Sequence, residues 1–423
     1  YARGASSFNI GECSQITFIP DYEFGKCSMR EIILPPGLTG IGDGAFQQSP
    51  NLRRIIVKGK TYDAGAVADL SNITKIGNYA FDGCKSLDNI TFNASPSLKI
   101  GVSSFANCSS LAAVILPMSN ANNIGESAFS GCTSLTEVSF NDSLTYIPSN
   151  SFSSTAIKKV IITGKEYTGN NYMPAGITYV GKNAFQDAKL SSLDFTKCRS
   201  LSYIDEYAFA QATIFSLLLP DGVEKINANA FNAAILPSLN IPDSVYLLGT
   251  NVFRNSSIIE ISVSPNIREI PNGTFRDCSL LTSVELRNSS SSPCSITSIG
   301  DYAFKGCCSI RNTDFLSGAD RLESIGSYAF SECCKENDGV KNIYGKVYYT
   351  GILDITLPNS VTDIGQNAFS ENYSLETVNL GAGVKVIPKD AFYVKTKDIS
   401  VLKKVILSDR LTRIESMAFS NNG

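Results

Sequence analysis

Apolar residues recur along this chain in two short bursts separated by polar turns. The first burst reads Leu-x-x-Ile-x-Leu and is often closed by proline, as from Met29 to Pro35, Leu111 to Pro117, Ile214 to Pro220 and Leu353 to Pro358. Alternation with a period of two and enrichment in β-branched residues predict a short strand, which proline ends. The second burst, such as Leu38 to Gly42 or Leu411 to Glu415, turns the chain back. A small residue and a phenylalanine follow, and that segment predicts a short helical turn. Aligned on the phenylalanine, the pattern recurs at Phe24, Phe46, Phe81, Phe105, Phe129, Phe152, Phe185, Phe209, Phe231, Phe253, Phe275, Phe304, Phe330, Phe369, Phe392 and Phe419, sixteen copies in all. The residue five before the phenylalanine is aliphatic in every copy, and the shortest intervals cluster at 22 to 24 residues. Such a period marks stacked repeats, each too small to bury its own apolar face.

Stacking places the phenylalanines in an internal ladder and the first strands in a continuous parallel sheet, at about 4.8 Å per repeat. A repeat array grows without a second core, so residues 18–423 read as one elongated domain. Residues 1–17 lack the motif but carry Phe8, Ile10 and Ile16, which suits a cap over the first repeat. Glycine after the aliphatic residue, at Gly42, Gly77, Gly101, Gly125, Gly181, Gly300, Gly326 and Gly365, marks a backbone position that needs room or positive φ.

Composition removes several classes of chemistry. The 423 residues hold 36 basic and 39 acidic side chains with no Lys/Arg block, unlike the electrostatic footprint of a nucleic-acid binder. There is no histidine, which removes Ser-His and Cys-His nucleophile pairs and imidazole metal sites. No apolar run approaches about 18 residues, so no membrane insertion of this segment is expected. Residues 176–182 begin like a phosphate-binding loop, yet Asn183 stands where Ser or Thr would hold magnesium, and Val180 and Phe185 keep repeat register. Asp194, Glu285 and Asp314 belong to one variable column and do not pair at a pocket, so a carboxylate-dependent glycosidase is only an outlying reading. No catalytic residue, cofactor or metal is assigned.

Seven of the twelve cysteines, Cys27, Cys84, Cys108, Cys132, Cys278, Cys307 and Cys333, fall three residues after the motif phenylalanine. One inward slot for a small residue explains them, because free Cys behaves as a small buried hydrophobe. Cys308 and Cys334 share the next position in consecutive repeats, where stacking brings backbones to roughly 5 Å, within disulfide range. They form the candidate disulfide. Cys13, Cys198 and Cys294 have no assigned partner.

The combined pattern, Leu-x-x-Ile-x-Leu-Pro followed by Leu-x-x-Ile-Gly-x-x-Ala-Phe-x-x-Cys, resembles the leucine-rich repeats of BspA-like bacterial surface proteins from about Phe18 to Phe419. The resemblance implies an α/β repeat fold: a right-handed leucine-rich-repeat solenoid, rich in short strands with short helical turns. It implies a secreted or cell-surface location, with any signal or anchor outside the given chain, and in some members adhesion to host matrix proteins or other cells. The family's fixed letters are scaffold, so no site residue carries over.

Candidate binding residues come from the variable letters instead. The residue between the two inward positions of Ile-x-Leu must face outward. That column reads Ile33, Ile56, Thr91, Ile115, Ser139 and Ile161, then Asp194, Leu218, Asn240, Ser262, Glu285, Asp314, Thr356, Asn379 and Ile406. Its first six members are mainly aliphatic, and the later ones are mostly polar. Insertions near 59–70, 164–175, 287–295 and 335–350 break the period, and the first two start alike, at Gly59-Lys60-Thr61-Tyr62 and Gly164-Lys165-Glu166-Tyr167. Tyr62, Tyr167 and Tyr172 supply aromatic surface there. The leading expectation is a monomeric, non-catalytic adhesion or binding protein that engages a host or neighbouring-cell protein or glycan through the sheet face and these loops. The alternatives are that the insertions only splice extra turns into the coil, and that the whole is a structural spacer of a larger surface protein.

Overall fold

The computed structural model describes residues 6–57, 68–69, 72–91, 97–116, 123–163, 171–288, 294–341, 347–395 and 401–422. The chain divides into two compact units, residues 1–220 and 221–423. Each is a β-solenoid segment whose coils carry two short parallel strands.

In the first unit the expected strands stack in register. Ser7–Asn9, Glu31–Leu34 and Arg54–Val57 pair in that order. Ala68–Asp69, Asn89–Thr91, Ala113–Ile115, Glu137–Asn141 and Lys159–Thr163 follow as a second group, and Lys189–Asp194 pairs with Thr213–Leu218. Burial alternates as the sequence requires: Ile32 and Leu34 are buried while Glu31 and Ile33 are half-buried. The N-terminal segment adds one strand, and Phe8 meets Phe24 edge-on at 5.1 Å.

The second apolar burst also forms a strand, and its pairing builds a second sheet that the sequence pattern does not announce. Phe18–Ile19, Gly40–Ile41, Lys75–Ile76 and Lys99–Ile100 are one parallel set, and Tyr146–Ile147, Tyr179–Val180 and Tyr203–Ile204 another. Two residues suffice because only the aliphatic one turns inward.

The phenylalanine segment is a turn and not the expected helical turn; among the described residues the one helical element is the 3-10 helix Asp314–Leu316. In all eight coils from Phe24 to Phe209, the residues two before and two after the phenylalanine have positive φ, as at Tyr22 and Lys26 (58° each) or Tyr79 (56°) and Gly83 (73°). Left-handed residues placed two before and two after the phenylalanine point alternate N–H groups the same way. Tyr22, Phe24 and Lys26 donate to the carbonyls of Asp43, Ala45 and Gln47 at 2.9, 2.7 and 2.7 Å, and Gly44, Phe46 and Gln48 donate onward to Asn78, Ala80 and Asp82. Left-handed backbone costs about 1–2 kcal/mol for an ordinary residue. The three satisfied donors per coil offset it.

Between the turns and the sheets the phenylalanines form a ladder. From Phe24 to Phe209 neighbouring rings stack at centroid separations such as 5.1 Å for Phe46 and Phe81 and 5.5 Å for Phe105 and Phe129, within about 16° of parallel. That lies in the offset-stacked range of about 4.5–7 Å. Ring faces and strand spacing therefore share one repeat distance.

The second unit repeats this plan. Its first sheet runs through Ser238–Asn240, Glu260–Val263 and Ser283–Leu286, and again through Asp354–Thr356, Thr377–Asn379 and Lys404–Ile406. Its rings stack from Phe231 to Phe419. Asp314, expected on a strand, starts the 3-10 helix. There the Thr313 hydroxyl replaces a strand backbone, accepting the Thr356 amide at 2.9 Å and donating to its carbonyl at 3.1 Å. Within the fourth insertion, Cys334–Lys341 and Val347–Gly351 make the one antiparallel pair among the described residues.

Candidate functional site

The outer face of the first sheet in residues 1–220 carries the predicted column. Register aligns Asn9, Ile33 and Ile56, then Asp69, Thr91, Ile115, Ser139 and Ile161. Ile33, Ile56, Ile115 and Ile161 are half-buried and present apolar surface outward. Two residues toward the N-terminus, on the same face, the column carries charges that neutralise each other. Lys159 pairs with Glu137 at 3.0 Å, and Arg54 pairs with Glu31. Exposed pairs of this kind contribute about 0.2–1 kcal/mol and chiefly fix neighbouring strands. An aliphatic strip beside a charge-balanced strip is the result.

Two predicted members do not present themselves. Ser139 is only 4% exposed and Asp194 only 3%. Asp194 is folded back as a turn cap: its Oδ1 accepts the Thr196 amide at 2.8 Å and the Thr196 hydroxyl at 2.6 Å. Asn9 and Asn379 cap the same way onto Gly11 and Gly381, at 2.9 and 3.1 Å. The Glu285 carboxylate accepts the Ser262 hydroxyl at 2.7 Å. Acidic and amide letters in the column thus serve strand ends and neighbours, which an outward-facing count cannot distinguish from a ligand face.

Both Gly-Lys-x-Tyr insertions return to this sheet. Ala68 and Asp69 pair with Ile90 and Thr91, and Tyr172 bridges Asp194. Asn171 splices the latter coil: its amide nitrogen donates to the carbonyls of Lys158 and Ser192 at 2.8 and 3.2 Å while its oxygen accepts the Val160 amide at 3.2 Å. Lys197 places its ammonium 5.6 Å from the Tyr172 ring centre. Tyr62 and Tyr167 lie outside the described residues. Splicing into the coil is therefore visible in both.

The cysteine slot holds more than small apolar side chains. All seven are buried, and the thiols of Cys84, Cys108, Cys132, Cys278, Cys307 and Cys333 donate to the carbonyl of the preceding ladder phenylalanine, at 3.2, 3.2, 3.1, 2.9, 3.1 and 3.0 Å. Ser49 does the same to Phe24 at 2.9 Å and Asn372 to Phe330 at 2.8 Å. The slot takes a small donor in these coils and alanine in three others, Ala188, Ala212 and Ala234; Ser49 and Asn372 were the available signal in the sequence. Burial pushes the Cys84, Cys132 and Cys278 thiols up to about 12, so they are inert as nucleophiles. Cys308 and Cys334 are half-buried at the rim of a cavity also lined by Glu332, Glu371, Tyr373 and Lys395. The Cys308 Sγ lies 3.1 Å from the Cys334 carbonyl oxygen, so the two coils bring these residues together.

Among the described residues no group of three or more carboxylate or thiol side chains could hold a metal ion, and no helix is long and apolar enough to cross a membrane. What the coils define is a leucine-rich-repeat β-solenoid. The chain belongs to the family described as BspA type leucine rich repeat region, whose model matches in six copies over residues 4–68, 66–173, 169–256, 202–337, 288–397 and 336–423. A leucine-rich repeat protein from Bacteroides ovatus is similar at 23% identity over 86% of this chain and 82% of that one, with a TM-score of 0.65. One from Eubacterium ventriosum is similar at 19% identity over 81% and 82%, with a TM-score of 0.45. A leucine rich cell surface protein from Faecalibacterium prausnitzii is similar at 18% identity over 96% and 88%, with a TM-score of 0.35. A comparison with curated proteins gives no match. No catalytic family is among these findings.

Proposed function

We propose that this chain is a non-catalytic binding module of the bacterial cell surface, which captures a protein or glycan partner on the outer face of its first sheet in residues 1–220. The observation that carries this reading is the in-register pair Ile33 and Ile56, with Ile115 and Ile161 on either side of Ser139 in the following group of strands, all four half-exposed beside ion pairs that cancel their own charge. Apolar side chains outward on a sheet are used where a partner covers them. Surface location is supported by membership in the BspA-type family. The first insertion rejoins the parallel strands at Asp69, between the strands of Ile56 and Ile115, and the second at Tyr172, after that of Ile161.

The test is capture from an array of matrix proteins and glycans by the wild-type chain and by an Ile56→Glu, Ile115→Glu variant. Loss of capture with an unchanged unfolding midpoint supports the face. Capture that survives both substitutions removes it.

A further inference from the structure

In the second unit a different surface carries positive charge that no ion pair among the described residues neutralises. A cavity of about 500 Å³ is lined by Ser244, Tyr246, Asn266, Arg268 and Ser295. It sits where the chain passes from the first sheet to the second: Tyr246 immediately precedes the strand Leu247–Leu248 and Arg268 precedes Glu269–Ile270, so the pair lies side by side on successive coils. Tyr246 is 48% exposed, and the Lys225 ammonium stands 5.8 Å from its ring centre.

The neighbouring Arg287 shows what a structural arginine looks like in this fold. It ion-pairs with Asp243 at 2.8 Å and donates to the carbonyls of Ile241 and Val263. Arg268 and Lys225, by contrast, have no ion-pair partner among the described residues, although Glu224 and Glu269 are their chain neighbours. Asn266 is held by its amide nitrogen on the Asp243 carbonyl at 2.8 Å, which fixes the side chain at the cavity wall. The Ser244 hydroxyl oxygen is buried without a hydrogen-bond partner.

We infer that this cavity is a binding site for an acidic sugar residue, a pyranose bearing a carboxylate. The guanidinium supplies the paired donors that a carboxylate takes, with Lys225 adding charge. The tyrosine ring offers an apolar wall to the C–H face of the sugar, and the serine hydroxyls and the asparagine amide match neighbouring ring hydroxyls. The volume falls within the range of about 300–1,000 Å³ typical of small-ligand sites. An acidic peptide would satisfy the arginine but leave the row of hydroxyl and amide groups without a purpose. The site lies in the other unit from the isoleucine strip, so either assignment can fail alone.

The experiment is a calorimetric or NMR titration of the whole chain with a tetrasaccharide of alternating glucuronic acid and N-acetylglucosamine. Its carboxyl-reduced neutral counterpart and a tetraglutamate peptide are titrated alongside. The expected result is saturable binding of the acidic sugar, at least tenfold weaker binding of the neutral one, and a loss of tenfold or more in Arg268→Gln and in Tyr246→Ala at unchanged Tm. Arg287→Gln is not the test residue, because its loss would disturb the coil itself. Absence of binding by the acidic tetrasaccharide overturns the site. So does equal binding of the neutral sugar, a preference for the peptide, or indifference to Arg268→Gln.

Discussion

Asp43 reaches the next coil through space that Gly77 leaves empty. Its carboxylate Oδ1 accepts the Asn78 amide at 2.9 Å, and a Cβ on Gly77 would stand 2.4 Å from that oxygen. The same coupling joins Asp21 to Gly42, Asn272 to Gly300 and Asp301 to Gly326. Glycine is needed here for close approach: of the two requirements read from the sequence, room is the one that applies, because its φ is not in the left-handed region.

Gly77→Ala is therefore expected to destabilise by about 2–3 kcal/mol or more, the magnitude of forced overpacking. Asp43→Ala should not rescue it, because the Asp43 amide nitrogen lies at 2.5 Å from the same Cβ. Gly318→Ala, with nothing within 4 Å, is the control and should be near neutral. Urea unfolding midpoints decide between them.

The ladder carbonyls give a second prediction. Cys108→Ser keeps a donor on the Phe81 carbonyl, as Ser49 does for Phe24, whereas Cys108→Ala leaves that buried oxygen without the side-chain donor. The alanine variant should be less stable than the serine variant by about 1 kcal/mol. Equal unfolding midpoints would show that the thiol bond contributes nothing.

Phe129 stacks between Phe105 at 5.5 Å and Phe152 at 5.7 Å, fully buried. Phe129→Ala is expected to cost about 3–5 kcal/mol. Because each coil touches only its neighbours, hydrogen exchange should rise first in the coils on either side of Phe129. Uniform acceleration along the unit would contradict that locality.

Alkaline pH provides a further check. Burial raises the thiols of Cys84, Cys132 and Cys278 from 9.0 in the unfolded chain to about 12. The unfolded chain releases these protons first, so the stabilisation is complete below pH 9.0 and is lost as pH rises toward about 12. Unfolding midpoints should fall above pH 9.0, and less steeply when Cys84 and Cys132 are both serine. A fall unaltered by the double replacement assigns the effect elsewhere.

For the half-buried pair, mild oxidation with a disulfide reagent is expected to join Cys308 to Cys334, each sulfur giving up one hydrogen while the reagent is reduced to two thiols. A tryptic map under non-reducing conditions should contain that cross-linked peptide and leave Cys307 and Cys333, one residue away but turned inward, unlinked. Two unlinked thiols after oxidation would end the assignment.

The repeat, the register of the first strands and the phenylalanine ladder were legible because they depend on a few apolar letters at fixed spacing. The turn was not, because its left-handed positions accept residues as unlike as Tyr79, Ser103 and Asn150. Tertiary hydrogen bonds, and not local preference, hold those residues there. The second sheet was hidden for a related reason: a strand as short as Lys75–Ile76 contains no full period of alternation. At the candidate site, Ile33 and Ile56 followed from alternation alone, but Asp194 turns back onto Thr196, and periodicity carries no information about a side chain that bonds its own backbone.

The forward-pointing amides of turns such as those of Phe24 and Phe46 give a coil a sense, donors on one side and acceptors on the other. A coil can therefore be joined to another in only one orientation. Duplication or loss of a whole repeat preserves that sense, while a fractional insertion has to be absorbed as Asn171 absorbs one. The backbone thus works as a grammar for lengthening by recombination, leaving the outward letters free to change what is recognised.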